Sequence, residues 1–213
     1  MTESSPTRLG AASVAAFERS VAAWAAGSGP MPASATVPAD VPAAILVEGA
    51  SDRAAVLSAA RMLGVDPPAE GVAVLPMGGA MSVRRFVALL GPDGAGLGLR
   101  GLCDAGEVRF FERAGLDARL TAVCHPDLEG ELLRALGQER AEEVLDREGD
   151  LRLFRTFQQQ PAQRGRPAAL QLHRFLGTTA GRKEQYVRIL TAALTAQTLP
   201  APLREVLLRS LDG

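Results

Sequence analysis

Ile45-Leu46-Val47-Glu48-Gly49-Ala50-Ser51-Asp52 is the stretch on which the reading of this chain turns. The apolar run Ala43–Val47 has the length and content of a buried strand, with Pro42 before it and Gly49 after it. From Ala54 the period changes: Val56, Leu57, Ala60 and Leu63 recur at helical spacing, and Gly64 closes the segment. Glu48 therefore stands at the carboxyl end of a strand and Asp52 near the start of the next helix. In an open α/β sheet that edge is where ligands bind. Two acids there point to a hard cation, provided that later strands bring more acids to the same edge.

Later strands do so. Strands are predicted at Val72–Leu75, at about Leu97–Cys103 and at Leu120–Cys124, separated by helices over about 52–63, 81–90 and 108–114. Alternation of this kind makes a parallel sheet with right-handed crossovers, so all strand carboxyl ends share one edge. Three of these runs end in carboxylates: Val47-Glu48, Cys103-Asp104 and Cys124-His125-Pro126-Asp127, with Glu129 and Glu131 close behind. Singly, each acid has a bland explanation. Acids in a first helical turn favour the macrodipole, and Asp52 is placed to cap its helix. Together they repel one another unless a divalent cation sits among them, and oxygen-only ligation favours Mg²⁺ or Mn²⁺ over zinc.

The totals fit a globular protein: 213 residues, 47% hydrophobic, 22% charged, net charge -1. Overall charge gives no sign of a polyanion partner, but its distribution does. Residues 104–150 hold thirteen acids against six arginines, whereas residues 151–191 hold eight bases against Glu184. An acidic cluster beside a basic stretch suits a metal site facing a polyanion, although chance surface patterning gives the same counts. Among 23 basic residues only Lys183 is lysine, which marks a position where guanidinium is no substitute. Cys103 and Cys124 read as free core thiols of a reducing compartment. There is no leader-like start and no apolar stretch of about 20 residues, so the expected location is cytoplasmic.

Three segments follow: 1–40, an N-terminal helix (Ala11–Ala26) and linker; 41–150, the core; and 151–213, a basic helical extension of the same domain. After Asp127, helices are expected at about 128–136, 138–148, 166–176, 180–195 and 201–211. Gly78-Gly79 reads as a tight turn or a phosphate-admitting helix start. His125 has a packing reading and a metal or proton-relay reading, and His173 reads as structural.

The strand-end acid in Leu46-Val47-Glu48-Gly49, followed by Ser51-Asp52 and the later strand-end Asp104, resembles the Toprim domain of topoisomerases, primases and certain nucleases. Asp127-Leu128-Glu129 at a helix start and Gly181-Arg182-Lys183 in a late helix bring the resemblance closest to the nuclease domain of the OLD (overcoming lysogenization defect) family, over about residues 43–195. The resemblance implies a Rossmann-like parallel four-stranded sheet flanked by helices, and a Mg²⁺- or Mn²⁺-dependent endonuclease hydrolysing DNA phosphodiesters by a two-metal mechanism. It makes Glu48, Asp52, Asp104, Asp127 and Glu129 the metal ligands and Glu48 and Lys183 the catalytic residues. Arg164, Arg166, Arg174 and Arg182 would track the DNA backbone.

Two departures stand out. The family's usual Asp-x-Asp appears as Asp104-Ala105-Gly106-Glu107. Either Glu107 reaches the metal from one residue further on, or the second site relies on Asp127 and Glu129, or one metal and the chemistry are lost. The chain also has no GxxxxGK[ST] loop, so the ATPase that OLD proteins carry would be a separate subunit. The alternative function is a catalytically weak Toprim module that binds nucleic acid or a partner ATPase. The expected partners are DNA, such an ATPase, or a second copy of the chain in a homodimer, with no membrane involved.

Overall fold

The computed structural model describes residues 6–30, 37–178 and 182–211, and for residues 6–9, 182 and 183 the backbone alone. Four strands, β1 (Ala43–Val47), β2 (Val72–Pro76), β3 (Gly98–Asp104) and β4 (Thr121–Cys124), form one all-parallel sheet in the order β2-β1-β3-β4. β1 is buried on both faces: Ala44 and Leu46 enter one core cluster, Ile45 and Val47 the other. A continuous apolar run, rather than an alternating one, is what a two-sided burial of this kind requires. Cys103 and Cys124 divide between the same two clusters, so the sheet stands between the two free thiols.

The chain runs outward from β1 to β2, then crosses back to place β3 on the other side of β1. The order therefore reverses between β1 and β3, and the crevice at such a switch point opens at the strands' carboxyl ends. Glu48 and Asp104 flank it.

One face is covered by α1 (Pro6–Ala25), α3 (Val83–Leu90) and α4 (Val108–Arg113). The other carries α2 (Ala50–Met62), α5 (Leu128–Arg147), α6 (Leu151–Gln158), α7 (Ala168–Leu176), α8 (Arg182–Ala192) and α9 (Ala201–Leu211). The strands and most helices match the periodicity reading within a few residues. α5 is two helical pieces joined at Gly137, whose φ of 75° and ψ of 164° break the helix where the sequence suggests a boundary. α6 is the helix that periodicity overlooked: Phe154 and Phe157 stack against Phe175 at 5.4 and 5.6 Å and seat α7.

α1 docks on the domain itself. Val14, Phe17 and Val21 are buried against the sheet, and burying each contributes about 1.5–3 kcal/mol. Glu18 accepts the Val74 N–H on edge strand β2 at 2.8 Å and pairs with Arg53 at 2.6 Å. A half-exposed pair of this kind adds about 1 kcal/mol or less, so apolar burial anchors the helix and Glu18 sets its register. Among the described residues no helix is long and apolar enough to cross a membrane.

Candidate metal centre

Glu48 leaves β1 at the turn into α2. Its carbonyl accepts from the amides of Gly78 (3.0 Å) and Gly79 (3.1 Å), which fastens the β1 and β2 ends together. Those amides are thereby used within the fold, so Gly78-Gly79 is the tight turn and not a phosphate cradle. The Asp52 carboxylate turns back to accept the Gly49 N–H at 2.9 Å, a helix-capping contact.

Asp104 ends β3 and runs straight into a single 3₁₀ turn, Ala105–Glu107. Three residues per turn set Asp104 and Glu107 one above the other. Glu48, Asp104 and Glu107 each offer a carboxylate oxygen, and these lie within 4.8 Å of one another. Burial, then a hydrogen bond shared with the Glu48 carboxylate, then the charges of Glu48, Asp104 and Asp52, lift the Glu107 carboxyl from 4.5 to about 7. Its Oε2 is buried with no hydrogen-bond partner. Crowded carboxylates with an orphaned buried oxygen fit a hard divalent cation. Gly106, at the position of the missing second acid, has open space where a Cβ would stand.

A second group forms at the β4–α5 corner. Asp127 caps α5 by accepting the Gly130 N–H at 2.8 Å, and Glu129 in the first turn is only 4% exposed. His173, on α7, brings Nε2 to 2.8 and 2.7 Å from the two Asp127 oxygens. Asp127, Glu129 and His173 each offer a ligand atom within 4.8 Å of the others. Glu131 faces elsewhere, accepting from the His125 N–H at 2.9 Å and from Arg134 at 2.7 Å. The His125 residue itself is exposed.

The structure thus brings together Glu48 with Asp104, and Asp127 with Glu129, while Asp52 stands beside them as a cap outside both groups. Glu107, one of the alternatives for the missing acid, stands with Glu48 and Asp104, and His173 is the addition. Arg164 and Arg174 are exposed with no ion pair among the described residues, whereas Arg166 donates to the Ala162 carbonyl at 2.8 Å. Arg182 and Lys183 begin α8, and their side chains lie outside the described residues. Part of the charge patterning is structural: Arg155 of the basic stretch pairs with Glu142 of the acidic one at 2.5 Å.

Residues 42–100 match the family described as "Overcoming lysogenization defect protein-like, TOPRIM domain". A comparison with curated proteins finds no match. Among solved structures the chain is similar to the C-terminal region of the Burkholderia pseudomallei OLD protein, with 21% identity and a TM-score of 0.60, covering 81% of this chain and 98% of that one. It is also similar to the C-terminal region of the Xanthomonas campestris pv. campestris OLD protein, with 24% identity and a TM-score of 0.58, covering 80% and 95%. Residues 42–100, which carry Glu48 and Asp52, thus match an OLD-like Toprim domain, and the chain shares its fold with the C-terminal regions of these OLD proteins.

Proposed function

We propose that this protein is a nuclease that hydrolyses DNA phosphodiester bonds with Mg²⁺ or Mn²⁺. The observation that carries the reading is the meeting of Glu48, Asp104 and Glu107 at the switch point of an OLD-like Toprim fold, beside Asp127, Glu129 and His173. Divalent cations, when bound, supply the positive charge that activates a water and stabilises the leaving oxygen of an in-line displacement. The protein's part is to hold the ligands. Glu48 and Asp104 come from adjacent strand ends, so their separation is set by the sheet rather than by a loop. Glu107 is positioned by its 3₁₀ turn, and Asp52 fixes the Gly49 turn that orients Glu48. Lys183 is assigned the developing charge on the phosphate. Arg164, Arg166, Arg174 and Arg182 are assigned to the DNA backbone, with the exposed Arg164 and Arg174 the strongest members.

The test is incubation of the purified protein with supercoiled plasmid and Mg²⁺ or Mn²⁺, alongside Glu48→Ala and Lys183→Ala. Nicking that both variants lose is expected. No nicking by the wild type, or equal nicking by both variants, overturns the assignment. DNA binding without cleavage would make the protein a binding module instead, the reading favoured by glycine at position 106.

A further inference from the structure

We infer that His173 is a metal ligand through Nε2, completing with Asp127 and Glu129 a mixed nitrogen–oxygen site that takes Mn²⁺ in preference to Mg²⁺. The inference rests on the metal-dependent reading above and adds to it a residue from outside the sheet-end acids. Two ligands bound at about 2.1 Å and at right angles stand about 3 Å apart. His173 Nε2 contacts both Asp127 oxygens, at 2.8 and 2.7 Å, a hydrogen-bonded pairing that already holds the nitrogen and a carboxylate oxygen within reach of one ion. Glu129, buried to 4% exposure, supplies the third donor from the same corner. A cavity of about 310 Å³, bounded by Pro126, Gly130, Arg134, Leu170 and His173, reaches the group at His173 alone, with neither Asp127 nor Glu129 in its lining.

The two groups differ in kind. Glu48, Asp104 and Glu107 offer oxygen alone, which suits Mg²⁺ and Mn²⁺ alike. An imidazole nitrogen shifts preference towards transition metals, because Mg²⁺ gains little from a nitrogen donor. The competing role for His173 is that of a positioning residue whose Nε2–H holds Asp127. A glutamine retains a donor able to do that, and it cannot supply an imidazole nitrogen.

The experiment is pulsed EPR of the Mn²⁺-loaded protein, read for coupling to a directly bound ¹⁴N, with Mg²⁺ competition measured in parallel. Expected are ¹⁴N coupling in the wild type and in Glu48→Ala, its loss in His173→Gln, and a fall of roughly tenfold or more in the Mn²⁺-over-Mg²⁺ preference of that variant. Mn²⁺ that binds the wild type without ¹⁴N coupling overturns the inference while leaving the nuclease reading standing. So does an unchanged preference in His173→Gln, which would make the residue a positioning one. A protein that shows the coupling but cuts no DNA fails the nuclease reading alone.

Discussion

Replacing Glu107 by glutamine should make the metal-free protein more stable and the metal-loaded protein less so. The carboxyl is lifted from 4.5 to about 7 by burial, by a hydrogen bond with Glu48 that a glutamine amide can also donate, and by the charges of Glu48, Asp104 and Asp52. A lift of that size corresponds to about 3 kcal/mol against the ionised form, and partial solvent screening reduces it to about 1–2 kcal/mol. The sign follows from proton linkage. Between pH 4.5 and 7 the folded chain holds a proton that the unfolded chain has released, so stability falls as pH rises through that window. At pH 8 the full cost is present, and Glu107→Gln removes it. For a chain of this size the gain is about 2–8 °C in melting temperature. Calorimetry at pH 8 in EDTA should show that rise, and at pH 4.5 most of it should be gone, because the folded carboxyl is then protonated and the unfolded one is at its midpoint. Added Mg²⁺ should stabilise the variant less than the wild type, since one of three ligands is gone. An equal rise at both pH values, or an unchanged Mg²⁺ effect, would refute the account of Glu107 as a crowded metal ligand.

Gly106→Asp should fold normally, because an added Cβ meets nothing within 4 Å, and it should raise Mg²⁺-dependent plasmid nicking; weaker nicking would show that Glu107 already fills the role. Gly101→Ala is the opposite case: on β3 its Cβ would lie 2.7 Å from a Phe111 ring carbon, a clash costing about 1–3 kcal/mol in urea denaturation. Arg164→Ala and Arg174→Ala should each make the salt dependence of duplex DNA binding shallower by about 0.9 in log–log slope. Fluorescence anisotropy across a salt series would measure it, and an unchanged slope would remove the residue from the DNA-facing set.

The sheet and its acidic edge were legible because their signals are local. A strand buried on both faces reads as an apolar run, and the acid that ends it is the next letter, as in Val47-Glu48 and Cys103-Asp104. Glu107 was harder, since its place beside Asp104 depends on the chain entering a 3₁₀ turn rather than extending further. His173 could not be found this way at all. Its partner Asp127 is 46 residues distant, and α7 is held there by Phe154 and Phe157 of α6, a helix of eight residues whose period is too brief to stand out. In the sequence it reads only as a structural residue among helical ones. Lys183 remains identified by composition and resemblance.

Asp104 does more than end a strand. Its Oδ1 accepts the Leu128 N–H at 3.1 Å, and the neighbouring Ala105 N–H donates to the Pro126 carbonyl at 3.1 Å. The same carboxylate therefore belongs to the Glu48 group and to the first turn of α5, where Asp127 and Glu129 stand. Any charge that draws Asp104 towards Glu48 also pulls on the helix start that aims the second group. Occupancy at one group then enters the free energy of the other, and by reciprocity the influence runs equally in both directions. Two ions taken up on this scaffold would fill as a coupled pair, with a binding curve that two independent sites could not reproduce.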